Sequence, residues 1–314
     1  MKLLRIGTRG SALALWQANH VKDKLAELHG VRAELVRIQT SGDRFQSASL
    51  AQIGAEAGTK GVFIKEIEDA LLAGEVDLAV HSMKDVPTEI PSGLVFTAIP
   101  KREDPRDCLI SRGALALKDL SNGARVGTSS LRRQAQLRHR RSDLDVVDVR
   151  GNVDTRIKKL EAGELGAIVL AVAGVNRLGL TSKITQTFDA DVMLPAVGQG
   201  ALGIETREND AATSRLVAAL DDPDTRACVT AERALLHELQ GGCQVPMGAL
   251  GQILDGVLRL EAAVFSADGS DFVRCDESGS PREARAIGIR LGQSLLEKGA
   301  DRILRLAGRP VGNN

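Results

Sequence analysis

The residue with the most distinctive chemistry is a thiol in the stretch HELQGGCQVPMGAL, residues 237–250. Cys243 follows two glycines, which leave room beside the backbone, and Pro246 stiffens the exit. The thiol also follows the predicted end of a helix, where the dipole disfavours a thiolate. No histidine is placed by the sequence to deprotonate it, so the pattern does not fit a cysteine-protease nucleophile. Two readings stay open: a thiol that reacts once with a strong electrophile, and a small buried side chain.

A second set of polar side chains follows the apolar strand predicted in VDLAVHSMKDVP, residues 76–87. His81, Ser82, Lys84 and Asp85 come at the end of this strand, where catalytic groups of α/β sheets tend to lie. Asp85 is either a catalytic carboxylate or an ion-pair partner of Lys84, and the segment leaves both open. For His81 we expect a hydrogen-bonded structural role rather than that of a base.

Six arginines and no acidic residue lie between Arg125 and Arg141. A solvated helix face normally mixes acids with bases. Nucleic-acid binding is disfavoured because Lys+Arg and Asp+Glu both number 41 and the chain has six phenylalanines, one tryptophan and no tyrosine. The pattern favours recognition of a small polyanion, since guanidinium groups bind carboxylate or phosphate bidentately. More basic residues follow in the same predicted unit: Arg150, Arg156, Lys158, Lys159 and Arg177.

The spacing of these arginines indicates where they meet. Arg132 and Arg133 open a predicted helix and Arg150 ends a predicted strand, so we expect them at the carboxyl edge of a sheet. The sequences RIGT at 5–8 and RVGT at 125–128 each end a strand and lead into a helix. A helix N-terminus suits a carboxylate or phosphate, so the two copies are either ordinary caps or a two-sided anion site.

The elements that must position these residues alternate between short apolar strands and helices, and the pattern restarts near residue 105. Such alternation predicts two α/β units with mainly parallel sheets, joined by a glycine-rich crossover at 194–207. From about residue 221, Asp255-Gly256 and Asp268-Gly269 separate alternating strands, which is a hairpin signature. A small third α+β domain therefore carries Cys243. We predict a first lobe of residues 1–100 with 201–220, a second lobe of 101–200, and a domain of 221–314.

Several function classes are disfavoured by the composition. The four cysteines show no C-x-x-C spacing, so we predict no metal site. The stretch GAEAGTKG, residues 54–61, does not fit a phosphate loop because Thr59 precedes the lysine. No signal-peptide pattern and no apolar run of about 18 residues is present, so we expect a cytoplasmic protein with unpaired thiols.

Six ordered motifs together resemble one known family. They are HSMKDVP, VGTSSLRRQAQL, VRGNVDTRIKKLEAGE, LAVAGVNRLGL, LPAVGQGALGIE and GGCQVP. The chain is identified by them as a member of the hydroxymethylbilane synthase family, also called porphobilinogen deaminase. The resemblance runs from about residue 6 to about residue 306 and is densest through 60–205 and 225–248.

The resemblance implies an α/β fold of two periplasmic-binding-protein-like lobes with mainly parallel sheets, plus a small C-terminal α+β domain. It also implies that four porphobilinogen molecules are joined head to tail with loss of ammonia, and that linear hydroxymethylbilane is then released by hydrolysis. In the family, a dipyrromethane cofactor hangs by a thioether from the cysteine that matches Cys243. Loss of ammonia leaves an electrophilic azafulvene, which is the kind of group that such a thiol captures once.

The family's functional residues carry over by motif. The implied catalytic residue is Asp85, which steadies the developing cation and helps proton transfer. The implied cofactor-binding residues are Cys243, Lys84, Ser82, Thr128, Ser130, Arg132, Arg133 and Gln199. The implied substrate-binding residues are Arg9, Ser11, Lys60, Arg150, Arg156 and Arg177. Cofactor and four added rings present about a dozen carboxylates, which explains a demand for cationic side chains.

The chain departs from the family pattern in one loop and leaves rival functions to be weighed. Gln52 stands where family members commonly have a lysine, and GAEAGTKG is longer than the usual turn, so Gln52 is not assigned to the site. We expect a mobile lid there.

One rival is a two-lobed solute-binding or effector-sensing module for a small polycarboxylate, which needs no Cys243. Another is a thiol-dependent transferase without a bound pyrrole, which leaves the arginines unexplained. A monomer is expected from the family.

Overall fold

The structure is a computed structural model that describes residues 3–41, 64–240 and 245–306. The chain divides into two units: the first holds residues 1–102 and 201–226, and the second holds residues 103–200 and 227–314. The chain thus leaves the first unit and returns to it. The three-domain division expected from the sequence stays a prediction.

Helices and strands alternate through most of the chain. The elements up to residue 98 are β1 (Leu4–Thr8), α1 (Ala12–His29), β2 (Ala33–Arg37), α2 (Lys65–Leu72), β3 (Leu78–Ser82) and β4 (Leu94–Ala98). Those that follow are β5 (Asp107–Ser111), β6 (Arg125–Gly127), α3 (Leu131–Arg140), β7 (Asp145–Val147), α4 (Val153–Glu161), β8 (Ala167–Ala171), α5 (Val172–Arg177) and β9 (Gln186–Thr187). The remainder are β10 (Leu202–Arg207), α6 (Ala211–Val217), α7 (Pro223–Glu238), β11 (Met247–Leu254), β12 (Val257–Phe265), β13 (Phe272–Gly279), α8 (Ala284–Glu297) and α9 (Ala300–Leu306).

The first unit is built on a sheet with the strand order β2-β1-β3-β10-β4. β1 pairs in parallel with β2 and β3, whereas β10 is antiparallel to both β3 and β4. Four of its five strands therefore point the same way. Apolar residues from α1 and α6 pack on one face, where Leu25 meets Leu78 and Ile204. On the other face Ile67 and Leu71 of α2 pack against the sheet.

The sheet of the second unit has an equivalent order, β7-β6-β8-β5-β9. β6 is parallel to β7 and β8, and β5 is antiparallel to β8 and β9. Again one strand opposes the other four. The predicted α/β class with mainly parallel strands is confirmed for both sheets.

β1 and β6 occupy equivalent places, and they carry the repeated sequences RIGT and RVGT. Thr8 and Thr128 are fully buried at the ends of these sequences. Ser11 and Ser130 are the N-caps of the helices that follow, and their hydroxyls accept hydrogen bonds from the backbone N–H groups of Ala14 and Arg133. Both copies therefore cap a helix, and the anion-site alternative stays a prediction.

The end of the chain forms an antiparallel sheet, β11-β12-β13, covered by α7 and α8. Asp255 and Gly256 connect β11 and β12 with φ angles of 51° and 76°, the left-handed values that a two-residue hairpin turn needs. The predicted hairpin is confirmed. α7 and α8 approach closely at Gly288, where an added Cβ would lie 2.2 Å from the carbonyl oxygen of Ala231.

The stretch 194–207 was expected to be a glycine-rich crossover between the units. The chain does pass from the second unit to the first at residues 200–201, but the rest of the stretch is not a connector, because Leu202–Arg207 form β10, an inner strand of the first sheet. Glycine weakened the strand signal there. Gly203 is required because an added Cβ would meet the sulfur of Met83 at 2.3 Å and the ring of Phe96 at 2.7 Å.

Candidate active site

The polar residues after β3 sit on a short turn of the first unit. β3 ends at Ser82, and one turn of 3₁₀ helix, Met83–Asp85, follows. Nε2 of the buried Gln17 donates a hydrogen bond of 3.0 Å to the hydroxyl of Ser82. Lys84 is half-buried and Asp85 is exposed. Asp85 is therefore the acidic group that the turn presents outward.

Met83 anchors the same turn from below. Its side chain is buried against Gly203, and its backbone N–H donates to the carbonyl oxygen of Ala201 at 3.1 Å. The N–H of Val86 donates back to the carbonyl oxygen of Met83 and closes the turn. The backbone that carries Asp85 is thus tied to β10.

His81 binds a buried acid on the neighbouring strand. Its Nε2 lies 3.0 Å from Oε2 of Glu205, and both side chains are almost completely buried. The ring of Phe96 approaches the imidazole edge-on, with 6.0 Å between the ring centroids. The predicted hydrogen-bonded structural role of His81 is confirmed.

A second buried acid, Glu68 of α2, belongs to the same cluster. Burial raises the pKa of Glu68 to about 7, the negative charge of Glu205 adds to the rise, and His81 opposes it. Among the residues that the structure describes, no hydrogen-bond partner reaches Oε1 of Glu205. The first unit therefore holds two acids and one imidazole that are all buried.

Other residues assigned to the first lobe lie near helix α1. Arg9 is half-buried just after β1, and Ser11 uses its hydroxyl as the N-cap at 3.3 Å from the backbone nitrogen of Ala14. Lys60, Gln52 and Cys243 lie outside the described residues. Their assignments stay predictions.

In the second unit, two predicted anion-binding arginines share one carboxylate of the protein itself. Nη1 of Arg132 donates to Oδ2 of Asp107 at 2.6 Å, and Nε and Nη2 of Arg133 donate to Oδ1 at 3.0 and 2.7 Å. Nε2 of Gln199 donates to the same Oδ1 at 2.9 Å. Arg132, Arg133 and Gln199 are thus brought together around a residue that the sequence analysis did not assign.

The electrostatics of this group follow from one negative charge between two positive ones. Burial by itself would raise the pKa of Asp107, but the charges of Arg132 and Arg133 outweigh it and hold that pKa well below its usual range. All three side chains are nearly or fully buried. Two guanidinium groups against one carboxylate leave an excess positive charge in a low-dielectric place.

Two further buried arginines of the same unit have depressed pKa values. Burial lowers the pKa of Arg156 to about 10, and the charge of Arg133 adds to the effect. Burial also lowers the pKa of Arg177 to about 10, although Glu103 opposes the shift. Nη2 of Arg177 donates to the carbonyl oxygen of Gly200 at 2.7 Å, one residue from Gln199. An anion near Arg156 would offset the effect of the Arg133 charge on it.

Helix α3 begins beside this group. The N–H of Ser130 donates to Oγ1 of Thr128 at 3.3 Å, and the hydroxyl of Ser130 caps the helix. Both residues thus stand at the positive end of the helix dipole. Arg150 is half-buried, three residues after β7 ends, and its predicted convergence with Arg132 and Arg133 stays a prediction.

The other arginines of the basic stretch have structural partners. Arg125 pairs with Asp145, and Arg141 pairs with Asp143 and donates to carbonyl oxygens. Arg138 and Arg140 donate to the carbonyl oxygens of Ala267 and Asp191. The six arginines therefore do not act as one anion-binding surface, because only the pair at the start of α3 faces the buried Asp107.

Three residues on which these groups depend were not predicted from the sequence: Asp107, Gln17 and Glu205. A signal was present for two of them. Asp107 opens the apolar strand DCLI and Glu205 lies inside LGIETR, and an acid within a buried strand needs a charged or hydrogen-bonding partner. Gln17 lies on α1 and gives no such signal.

We expect Asp107→Ala to lower the free energy of unfolding by about 3–5 kcal/mol, because two buried guanidinium groups lose their counter-charge. Urea unfolding followed by circular dichroism measures the loss. Asp145→Ala is the matched control, since the side chains of Asp145 and Arg125 are 52% and 59% exposed and such pairs contribute about 0–1 kcal/mol. Equal losses in the two variants would contradict the buried clamp.

We expect Glu68→Gln to raise the melting temperature at pH 8 and to have little effect at pH 5. The pKa of Glu68 rises from 4.5 to about 7 on folding, so the folded protein holds a proton that the unfolded chain has lost. Raising the pH through this window therefore disfavours folding, and the amide removes that penalty. Melting curves at several pH values test this against Glu75→Gln, an exposed acid of the same unit. A pH-independent difference would refute it.

Two family profiles match the chain in order. The profile described as porphobilinogen deaminase, dipyromethane cofactor binding domain, matches residues 4–215, and that of the porphobilinogen deaminase C-terminal domain matches residues 226–297. The porphobilinogen deaminase of Syntrophobacter fumaroxidans is 50% identical over 304 residues, covering 96% of this chain and 97% of that protein. That of Trichlorobacter lovleyi is 52% identical over 304 residues, with 96% of each covered.

The solved structures that match part of the chain are far more distant in sequence. A periplasmic substrate-binding protein of an ABC transporter from Coxiella burnetii is 15% identical with a TM-score of 0.44, covering 74% of this chain and 97% of that one. The methionine-binding protein MetQ is 14% identical with a TM-score of 0.45, covering 69% and 89%. The two ordered profiles, and relatives identical at about half of all positions, establish that the chain belongs to the porphobilinogen deaminase family.

Proposed function

We propose that the chain acts as a hydroxymethylbilane synthase in which Cys243 carries the primer and Asp85 assists each condensation. The family reaction joins four porphobilinogen molecules with loss of ammonia and releases linear hydroxymethylbilane by hydrolysis, a step of tetrapyrrole biosynthesis. Family membership over almost the whole chain carries this conclusion. A solute-binding module would need neither the cysteine nor the C-terminal domain of this family.

The residues of the second unit suit a polycarboxylate such as dipyrromethane. Arg132 and Arg133 keep an excess positive charge after Asp107 is counted, and Thr128 and Ser130 stand at a helix N-terminus. With Gln199, and with Ser82 and Lys84 from the first unit, these are the residues that we assign to the cofactor. When bound, dipyrromethane supplies the pyrrole carbon to which the first substrate is joined.

We assign the catalytic role to Asp85 because its carboxylate is placed where it can stabilise a cation electrostatically. It is an exposed acid on a turn whose preceding residues are anchored, so its carboxylate is presented with little freedom of the backbone. Departure of ammonia from porphobilinogen leaves positive charge on the pyrrole. A carboxylate near the pyrrole N–H stabilises that charge and accepts a hydrogen bond, and it helps to move the proton lost on bond formation.

Substrate carboxylates are assigned to the remaining cationic residues: Arg9, Ser11, Lys60, Arg150, Arg156 and Arg177. The depressed pKa values of Arg156 and Arg177 support this role, because burial disfavours the charged guanidinium and a bound anion would favour it again. A hydrogen bond to a charged group contributes about 1.5–3 kcal/mol, so loss of one arginine should impair binding without abolishing it.

The remaining expectations about the whole protein are proposals as well. Two lobes and a C-terminal domain with the boundaries given above, a monomeric state and a cytoplasmic location are all expected of this family member. No helix in the described ranges is both long and apolar enough to cross a bilayer.

The protein should weigh more than its sequence by one two-pyrrole unit, and Cys243→Ser should remove that mass, because the unit is held by a thioether. Intact-protein mass spectrometry measures this, with Cys228→Ser as the control. Cys108, Cys228 and Cys275 are all buried, and burial raises the pKa of Cys108 to about 12, so they are poor nucleophiles. Finding the extra mass unchanged in Cys243→Ser would place the cofactor on another residue.

Asp85→Ala should keep the fold and the extra mass while lowering kcat at least about 100-fold, as expected for loss of charge stabilisation and proton transfer. Formation of hydroxymethylbilane and the melting temperature are the measurements. Glu89→Gln, four residues further along the chain and also exposed, is the control. Near-normal turnover of Asp85→Ala would remove this residue from the mechanism.

A further inference from the structure

We propose that Glu68, Glu205 and His81 form a proton-sharing cluster that positions Asp85, in which protonated Glu68 donates a hydrogen bond to Oε1 of Glu205. The functional half of this inference rests on the proposed role of Asp85. The proton-sharing half concerns the resting protein alone.

Strand register brings the members of this cluster to one face of the sheet. Gly203 lies opposite His81 and Glu205 lies opposite Ala79 in the antiparallel pair of β3 and β10. Because side chains alternate along a strand, His81, Glu205 and Ala79 share the face that α2 covers. Glu68 comes from α2 itself and is 7% exposed.

The hydrogen-bonding capacity of Glu205 is half used. Oε2 accepts from Nε2 of His81, while Oε1 has no hydrogen-bond partner within the described ranges. Glu205 is fully buried, and an unsatisfied buried carboxylate oxygen is costly. A proton on Glu68 is the donor that this oxygen lacks, and both the burial of Glu68 and the adjacent charge of Glu205 favour its protonated form.

The other charged residues on the elements around the cluster either bind other groups or are exposed. They are Lys65, Glu66 and Asp69 on α2, Arg5 on β1 and Arg207 on β10, while β4 carries no charge. Arg5 binds Asp77, and Arg207 donates to the carbonyl oxygens of Leu71 and Val76. Glu66 accepts a hydrogen bond from Ser41, and Lys65 and Asp69 are exposed. Helices α1 and α6 pack on the other face of the sheet.

The cluster fixes the start of the segment that ends in Asp85. Glu205 binds His81, and Gln17 donates a hydrogen bond to Ser82. The side chain of Met83 packs against Gly203. Three consecutive side chains are therefore tied before the chain reaches Lys84 and Asp85. Loss of the hold on His81 should let the turn shift, and a displacement of about 1 Å at a reacting group can cost about 100-fold in rate.

Infrared spectroscopy tests the shared proton. At pH 6, where other carboxyl groups are largely ionised, the protein should show the carbonyl stretch of a protonated carboxylic acid. Glu68→Gln should abolish this band, Glu205→Gln should shift it because the carboxylate acceptor of the proton is lost, and Glu75→Gln should leave it unchanged. Absence of the band, or its survival in Glu68→Gln, would overturn the proton-sharing cluster.

Kinetics of the cofactor-loaded enzyme test the positioning role. Glu205→Leu should lower kcat about tenfold or more, leave KM within about twofold, and keep the two-pyrrole mass. The variant should melt at a lower temperature, because loss of one partner leaves the buried His81 without its hydrogen bond, so kcat is measured per folded, cofactor-loaded molecule. Glu205→Gln should restore most of kcat because its amide oxygen still accepts from His81, and Glu75→Leu is the matched control.

The outcomes separate this inference from the proposed function. Wild-type protein without turnover or without the two-pyrrole mass would refute the synthase, and the infrared result would still decide the shared proton. Unchanged kcat in cofactor-loaded Glu205→Leu would overturn the positioning role. A lower melting temperature with normal kcat per loaded molecule would also overturn it, because the cluster would then serve stability alone.

Discussion

A single buried carboxylate organises the anion-binding half of this molecule. Asp107 accepts hydrogen bonds from two guanidinium groups and one amide, and through them it ties β5 to the start of α3 and to the segment before β10. Two arginines could not be buried side by side without it, because their repulsion and desolvation would be unopposed. With it, they stay charged and ordered, and their charge exceeds that of the acid that holds them.

The segment 194–200 completes this arrangement with backbone groups. The carbonyl oxygen of Leu194 accepts from Nη1 of Arg132, and that of Gly200 accepts from Arg177. The N–H of Gly198 donates to Glu232 of α7, whose other carboxylate oxygen accepts from the N–H of Gly251. Glycine is needed at position 200, where φ is 86° and an added Cβ would lie 2.4 Å from the carbonyl oxygen of Glu103. The backbone of the motif LPAVGQG thus helps to hold Arg132 and Arg177 in place.

Much of this could be predicted from local pattern. Caps at Ser11 and Ser130, the Asp255-Gly256 hairpin and most sheet strands follow from short-range rules, and motifs pointed to Asp85 and the arginines. The partners of Asp107 and Glu205 could not be predicted, because they are distant in the chain: Glu205 binds a residue 124 positions away. β10 was also not predicted. Gly203 weakens its strand signal, and the reason for this glycine is the close approach of Met83 and Phe96. Short-range rules therefore predicted helices, strands and turns. Contacts between residues distant in the chain determine which polar side chains bind one another.

The placement of β10 has a consequence for the order in which the chain acquires its structure during synthesis. In the first sheet β10 separates β3 from β4, and β10 is the only strand within the described ranges that pairs with β4. The sheet that carries Asp85 is therefore incomplete until about residue 207 has left the ribosome. The other sheet uses strands from one uninterrupted stretch, 107–187, and all of them emerge earlier. All strands of the second unit's sheet can thus pair before β10, the last inner strand of the first unit's sheet, has been synthesised.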